Sequence, residues 1–115
     1  MLAREQRLAR AGDFARVAKQ GKREGSVELM IKTIGNGLGH PRYGIVVSTT
    51  VSKLAVVRNR IKRVIRAILR EMDIHQSVDV LVVVKPPLVG KRTNEIKEKL
   101  TNLLEKLLSN GYSKP

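Results

Sequence analysis

The chain has 115 residues, 42 % of them hydrophobic, with 23 Lys and Arg against 10 Asp and Glu, a formal charge of +13 at pH 7 and no cysteine. That length and apolar content suit one globular domain with a modest core and exclude a disordered tail. The charge costs self-repulsion unless a polyanion neutralises it, which points to nucleic acid, with an anionic membrane surface as the minor alternative.

Other classes fall away on simple counts. No apolar run reaches the ~18 residues of a membrane span. Met-Leu-Ala-Arg-Glu-Gln-Arg at the N-terminus has no apolar signal core, and without cysteine neither disulfides nor thiolate metal sites are available. A soluble, cytoplasmic protein is expected. The aromatics are Phe14, Tyr43 and Tyr112 alone, too few for a platform that stacks base after base on rings.

Residues 1–12 read as a basic, partly flexible arm, with Arg4, Arg7 and Arg10 around one apolar anchor, Leu8. Asp13 is a candidate N-cap for a short helix that carries Phe14, Val17 and Ala18 on one face and stops at Gly21. Residues 22–34 take strand character, chiefly Val27–Ile34, with Gly25 as a turn or bulge. Gly35-Asn-Gly-Leu-Gly-His-Pro41 is turn chemistry. It lacks the Gly-Lys-Ser/Thr of a phosphate loop and leads into a strand, so a hairpin connection is predicted. The next strand is Tyr43–Ser48, and Thr49 to Lys53 run on into a helix.

That helix, Val57–Met72, carries the strongest signal in the chain. Ile61, Val64, Ile65, Ile68, Leu69 and Met72 recur at helical spacing and form an apolar stripe. At about 100° per residue, Asn59, Arg63, Arg66 and Arg70 fall opposite the stripe, flanked by Arg60 and Lys62. Six of the thirteen residues from Arg58 to Arg70 are basic and none is acidic. A core-facing ridge and a cationic outer face are written in one segment.

Asp73–Ser77 is a polar loop. Val78–Val84 is β-branched almost throughout and reads as a strand covered on both faces, ended by Lys85-Pro-Pro87. Thr93 or Asn94 caps a last helix with Ile96, Leu100, Leu103, Leu104, Leu107 and Leu108 on its apolar side, closed by Ser109-Asn-Gly111. The order is helix, two or three strands, helix, strand, helix. The predicted class is α+β, with helices mostly on one face of a mixed sheet and a β-α-β unit around the basic helix.

No catalytic set of its own is legible. His40 and His75 lie in separate loops and make a poor metal pair. Glu95 and Glu98 alternate with Lys97 and Lys99 as on a solvated helix face. Asp79 reads as a turn cap, and Ser48, Thr49 and Thr50 lack a neighbouring base. Any reaction would be carried by a partner.

Arg58-Asn-Arg-Ile-Lys-Arg-Val-Ile-Arg resembles the Arg-Asn-Arg signature of the bacterial ribonuclease P protein subunit. Arg7-Leu8, Asp13-Phe14-x-x-Val17, Gly21-Lys22, Tyr43-Gly-Ile-Val-Val-Ser48 and the lead-in Ala55-Val56 match the family's pattern along nearly the whole chain. The resemblance implies an αβββαβα fold with a mixed four-stranded sheet and a left-handed crossover around the basic helix, against the usual right-handed rule. It implies an endoribonuclease whose catalytic RNA, with Mg²⁺ bound to that RNA, removes the 5′ leader of precursor tRNA. This chain would bind the catalytic RNA and the leader, with no cofactor or metal of its own, and would engage neither DNA nor membrane.

Residue roles implied by the resemblance follow its motifs. Arg58, Asn59, Arg60, Lys62, Arg63 and Arg66 are assigned to RNA phosphates and sugars, and Arg70 extends that face. Asn59 is alternatively a helix cap. Phe14, Ala18, Met30 and Lys53 fall in the leader cleft between the first helix and the sheet, where the alternative for Phe14 is a core position. Ala18 and Met30 stand where the family commonly has rings, Thr49-Thr50 replaces two frequent lysines, and Ser52-Lys-Leu54 is one residue longer than the usual Gly-Lys. A small ribosomal or other structural RNA-binding protein, and a membrane-surface helix, are the competing readings.

Overall fold

The apolar run Val78–Val84, β4, sits inside a four-stranded sheet of order β1-β2-β4-β3, where β1 is Lys22–Gly25, β2 Leu29–Gly35 and β3 Arg42–Val46. The computed structural model describes Arg7, Leu8 and residues 10–109. Strand β4 pairs antiparallel with β2 and parallel with β3, so the sheet is mixed and the class is α+β. The helices are α1 (Ala11–Gln20), α2 (Ala55–Met72) and α3 (Thr93–Ser109), with a 3-10 turn at Pro86–Leu88.

Alternation divides the sheet into two faces. Val78, Val80, Val82 and Val84 of β4 join Leu29 and Ile31 of β2 and Tyr43 of β3 in the main core, which α2 closes with Ile61, Ile65, Ile68 and Leu69 and α3 with its leucines. The opposite face is covered by α1, whose Val17 meets Leu81 and Leu8, with Phe14, Ile34 and Val83 at the edge of that cluster. Leu8 is 4 % exposed and its N–H donates to the Tyr43 carbonyl at 2.8 Å. It is therefore the anchor the sequence suggests, while residues 11 and 12 belong to α1 rather than to an arm, and residues 1–6 and Ala9 lie outside the described residues.

Five expectations need correction. Residues 36–41 do not close a hairpin, because β2 and β3 are separated by β4. The loop instead crosses the start of β4, with the Asn36 N–H on the Ser77 carbonyl (3.0 Å) and the Gly39 N–H on Ser77 Oγ (2.9 Å). A hairpin would leave the most apolar strand at an edge; inserting it between the other two buries both of its faces. Residues 22–34 likewise form two strands, with Ser26–Glu28 turning between them and Val27 69 % exposed.

Asp13 does not cap α1. The cap position is Arg10, without a side-chain hydrogen bond, and Asp13 lies inside the first turn. There it favours the helix dipole and meets Arg42 Nη1 at 3.2 Å. Similarly, Thr93 and Asn94 lie inside α3, since the Ile96 N–H already donates to the Arg92 carbonyl at 3.0 Å. The Asn110-Gly111 stop lies outside the described residues.

Asp79 is no turn cap but a fully buried carboxylate within β4. It points to the α1 face beside its register partner Arg42, whose Nε and Nη2 donate to it at 2.8 and 2.7 Å, and Asn36 Nδ2 adds a third bond at 2.9 Å. Burial pushes the Asp79 pKa up, but these hydrogen bonds and the Arg42 charge outweigh it, and the carboxyl titrates below its ordinary value.

Removing one partner of a buried pair leaves the other charged and uncompensated, so Arg42→Met should destabilise the fold by about 3–5 kcal/mol in denaturant titration. The sign of the pH dependence should also change. A depressed carboxyl contributes stability that is present above its ordinary value near 3.8 and is lost as pH falls through its folded value. In Arg42→Met the Asp79 pKa is raised instead, so acidification toward pH 4 should recover stability relative to pH 7. Equal loss at both pH values would show that the pair does not govern the fold.

Candidate nucleic-acid interface

Helix α2 begins at Ala55, two residues before the start read from sequence, because Leu54 takes the cap position. It has no acidic residue in its first turn and no side-chain cap. Arg58 and Arg60 therefore stand at the positive end of the helix dipole, an arrangement that favours anions and is unfavourable while no anion is present. Over its 18 residues, about 27 Å of helix, the buried side is Ile61, Ile65, Ile68 and Leu69.

The cations do not all share one role. Arg63 and Arg70 are exposed on the outer side with Asn59, and Arg66 is half-buried beside them. Arg58 turns to one flank and donates from Nη1 to the Ser52 carbonyl at 2.8 Å, so it fastens the β3–α2 connection. Lys62 is half-buried on that same flank, at helical spacing from Arg58. Arg60 lies on the other flank, beside the loop that leads into α3. Asn59 is exposed, five residues into the helix, so the capping alternative does not hold. Among the described residues, Arg60, Lys62, Arg63, Arg66 and Arg70 have no ion pair or hydrogen bond through their side chains. One helix face thus presents concentrated, unneutralised positive charge whose planar guanidinium forks match phosphate oxygens.

The four cleft residues read from sequence are only partly brought together. Phe14 projects from α1 onto the sheet above Gly44, so closely that a Cβ on Gly44 would lie 2.6 Å from Phe14 Cε1 and 3.2 Å from Leu8 Cδ2. The ring is half-buried against the Leu8, Val17 and Leu81 cluster, which makes it a wedge more than an open platform. Ala18, one turn on, is exposed, and its carbonyl accepts Lys32 Nζ at 2.6 Å. Met30 lies on the sheet in a register row, Gly25–Met30–Val83–Val46, that crosses all four strands. Lys53 is exposed in the turn before α2, and no bond joins it to the other three.

Sequence reading missed Val46, Val83 and the Asp79–Arg42–Asn36 cluster. The two valines were findable from strand alternation, since Val46 shares the parity of Arg42 and Gly44 on β3, and Val83 that of Asp79 and Leu81 on β4. Ser48, Thr49 and Thr50 form an exposed turn after β3, with Ser48 Oγ and Thr50 Oγ1 within 2.5 Å. Their side chains offer exposed hydroxyls. Among the described residues no cluster of three His, Asp or Glu side chains could hold a metal ion, and no helix is long and apolar enough to cross a membrane. Tyr43, pushed up to about 12 by burial and the Asp73 charge, stays neutral in the core.

Comparison with known proteins gives a consistent result. A family model described as Ribonuclease P matches residues 2–108. The chain is 35 % identical over 113 residues to the ribonuclease P protein component of Synechocystis sp., covering 94 % of this chain and 91 % of that one. It is 39 % identical over 109 residues to that of Pectobacterium atrosepticum, covering 90 % and 85 %. Among solved structures, the Staphylococcus aureus RNase P protein superposes with a TM-score of 0.81 at 30 % identity, over 88 % of this chain and 94 % of that one. The Thermotoga maritima RNase P protein in complex with 1-(4-fluorophenyl)-2-thiourea gives 0.81 at 31 % identity, over 87 % and 98 %.

The wedge has a direct test. Gly44→Ala should overpack the α1 face and cost about 1–3 kcal/mol, while in a Phe14→Ala background the same change should cost under about 0.5 kcal/mol. Urea titration of the four proteins measures that coupling. Additive losses would mean that Phe14 is free to leave the sheet and can serve as a platform.

Proposed function

The chain belongs to the ribonuclease P protein family, and we propose that within that ribonucleoprotein it binds the catalytic RNA through α2 and the single-stranded 5′ leader of precursor tRNA through the groove between α1 and the sheet. The observation that carries this reading is the set of unneutralised cations on one helix face, in a chain matched to the family over nearly its whole length. No catalytic residue is assigned to the protein. The bond is cut by the RNA, whose bound Mg²⁺ supplies the Lewis-acid chemistry, and the protein contributes affinity and position.

The roles differ along α2. Arg63, Arg66 and Arg70 meet phosphates of the catalytic RNA, with Asn59 as a short donor and acceptor to sugar or phosphate, and Lys62 adds charge beside them. Arg58 holds the 48–54 turn in place, so it orients the exposed hydroxyls of Ser48 to Thr50 and the Lys53 ammonium at the mouth of the cleft. The leader then lies over Met30, Val83 and Val46, an aliphatic floor, rather than on a stack of rings. Its grip rests on Lys53, Lys32 and the neighbouring hydroxyls more than on stacking, which elsewhere is worth about 1–3 kcal/mol per base. These chemistries suit a cytoplasmic RNA partner and involve neither DNA nor membrane.

Reconstitution with a bacterial ribonuclease P RNA tests the reading. At low Mg²⁺ the chain should raise both cleavage of precursor tRNA and affinity for it above RNA alone; no rise in either would leave only a structural RNA-binding role. Arg63→Ala or Arg66→Ala should weaken binding to the catalytic RNA and reduce the slope of log K against log salt by about one unit for each lost phosphate contact. A slope equal to that of the parent would mean that these side chains do not touch phosphate.

A further inference from the structure

A groove of about 490 Å³ runs along the flank of α2 that faces α3. Val57, Arg60 and Val64 line one bank at helical spacing, and Val89 to Arg92 line the other. Gly90, with φ +86°, turns the opposite bank so that Lys91 and Arg92 follow Val89 along the edge. Val89 is 45 % exposed, and the floor is made by core side chains that are already buried.

We propose that this groove is a pocket for one unpaired nucleotide of the catalytic RNA bound on α2. Its base would lie between the valines, and its flanking phosphates would meet Arg60, Lys91 and Arg92. The inference rests on the function proposed above and names where on the protein the RNA strand departs from the helix face.

Three features of the groove fit that occupant. The first is charge: the three rim cations are exposed and make no side-chain ion pair or hydrogen bond among the described residues, and no carboxylate lines the groove. The next carboxylate along the chain, Glu95, is turned to the backbone N–H of Arg92 at 3.4 Å. The second is shape. The volume falls within the roughly 300–1,000 Å³ of small-ligand pockets, and the apolar walls offer nothing to a bare phosphate or to the backbone of a duplex. They suit a flat, partly apolar body, and an unpaired base is the part of an RNA that can be splayed out of its stack and laid on a guanidinium plane. The third is continuity. Arg60 is one helical turn from Arg63, so a strand whose phosphates follow the outer face reaches the rim of the groove without crossing an acidic residue.

The test uses the full chain bound to the catalytic RNA. Lys91→Ala combined with Arg92→Ala changes two exposed side chains that do not enter the core, so the variant should keep the parent's thermal unfolding. It should bind the RNA about tenfold more weakly near physiological salt, with the log–log salt slope lower by about 1.4 for two single-strand contacts. Base-directed chemical probing of the complex should show one unpaired nucleotide that is protected by the parent chain and exposed with the variant. A photo-crosslinking amino acid at position 89 should attach to that same nucleotide.

Unchanged affinity and slope in the double variant, or crosslinks from position 89 that fall only on paired nucleotides or on protein, would overturn the proposal. Arg63→Ala separates the two levels of the argument. Loss with Arg63→Ala but not with the double variant removes the groove alone, whereas loss with neither removes the α2 interface and the groove together.

Discussion

Strand β4 is the interior strand against which two strands and all three helices are arranged. It lies between β2 and β3, its even-numbered valines support α2 and α3, and its odd-numbered positions support α1. A strand buried on both faces must satisfy each polar group it carries, and β4 carries one charge, Asp79. Arg42 answers it from the neighbouring strand and reaches at the same time to Asp13 on α1. One guanidinium therefore joins the centre of the sheet to the helix that covers it, and the position of α1 over the sheet is fixed by the same contact that makes β4 tolerable as an interior strand. The Arg42 pKa is raised chiefly by its hydrogen bond to Asp79, so the clamp is permanently charged.

The scarce carboxylates are placed with the same economy. Asp13 and Asp79 are taken up by Arg42, Glu28 by Lys99 at 3.1 Å and Glu71 by Lys97 at 3.4 Å. The Glu28 carboxyl is held below its ordinary value mainly by its hydrogen bond to Lys99. None of these partners is on the outer face of α2. Neutralisation is thus spent on the sheet end and on α3, and the excess positive charge of the chain concentrates where a phosphate backbone can reach it. The self-repulsion this costs is bearable because the inner side of α2 is locked into the core by four large aliphatic side chains.

What could be read in the sequence was what periodicity encodes. The stripe of α2, the uniform run of β4 and the leucines of α3 announce themselves because each residue's environment follows from its neighbours in the chain. The connection between β2 and β3 did not, since turn residues say only that the chain turns and not which strand it turns toward. That choice was made by β4, more than thirty residues further on, through the gain of burying both of its faces. Asp79 was hidden for a related reason. A lone acid in an apolar strand looks like a boundary until its partner, Arg42, is brought opposite it by register. Phe14 was ambiguous in sequence because an aromatic at that spacing fits a core wedge and a base platform equally well. The 2.6 Å approach to the position of a missing Cβ on Gly44 is what gives the wedge its physical basis.

The two surfaces proposed for RNA consequently differ in kind. On α2, recognition would be a matter of fixed charge, with its geometry set by a helix whose other side is packed into the core. In the cleft, the row Met30, Val83 and Val46 offers dispersion contacts but no side-chain donors or acceptors, and the strand groups beneath it are engaged in the ladder. Such a floor cannot tell one base edge from another. It can tell a flexible single strand from a duplex, because only the former presents apolar base faces to it. With Phe14 wedged against Gly44, discrimination in the proposed cleft would fall to shape and to the cations at its margins, and the protein's contribution there would be largely indifferent to leader sequence. Sequence-dependent contact would then be confined to places where a base can be enclosed, and the groove beside Arg60 has walls of that kind while the cleft does not.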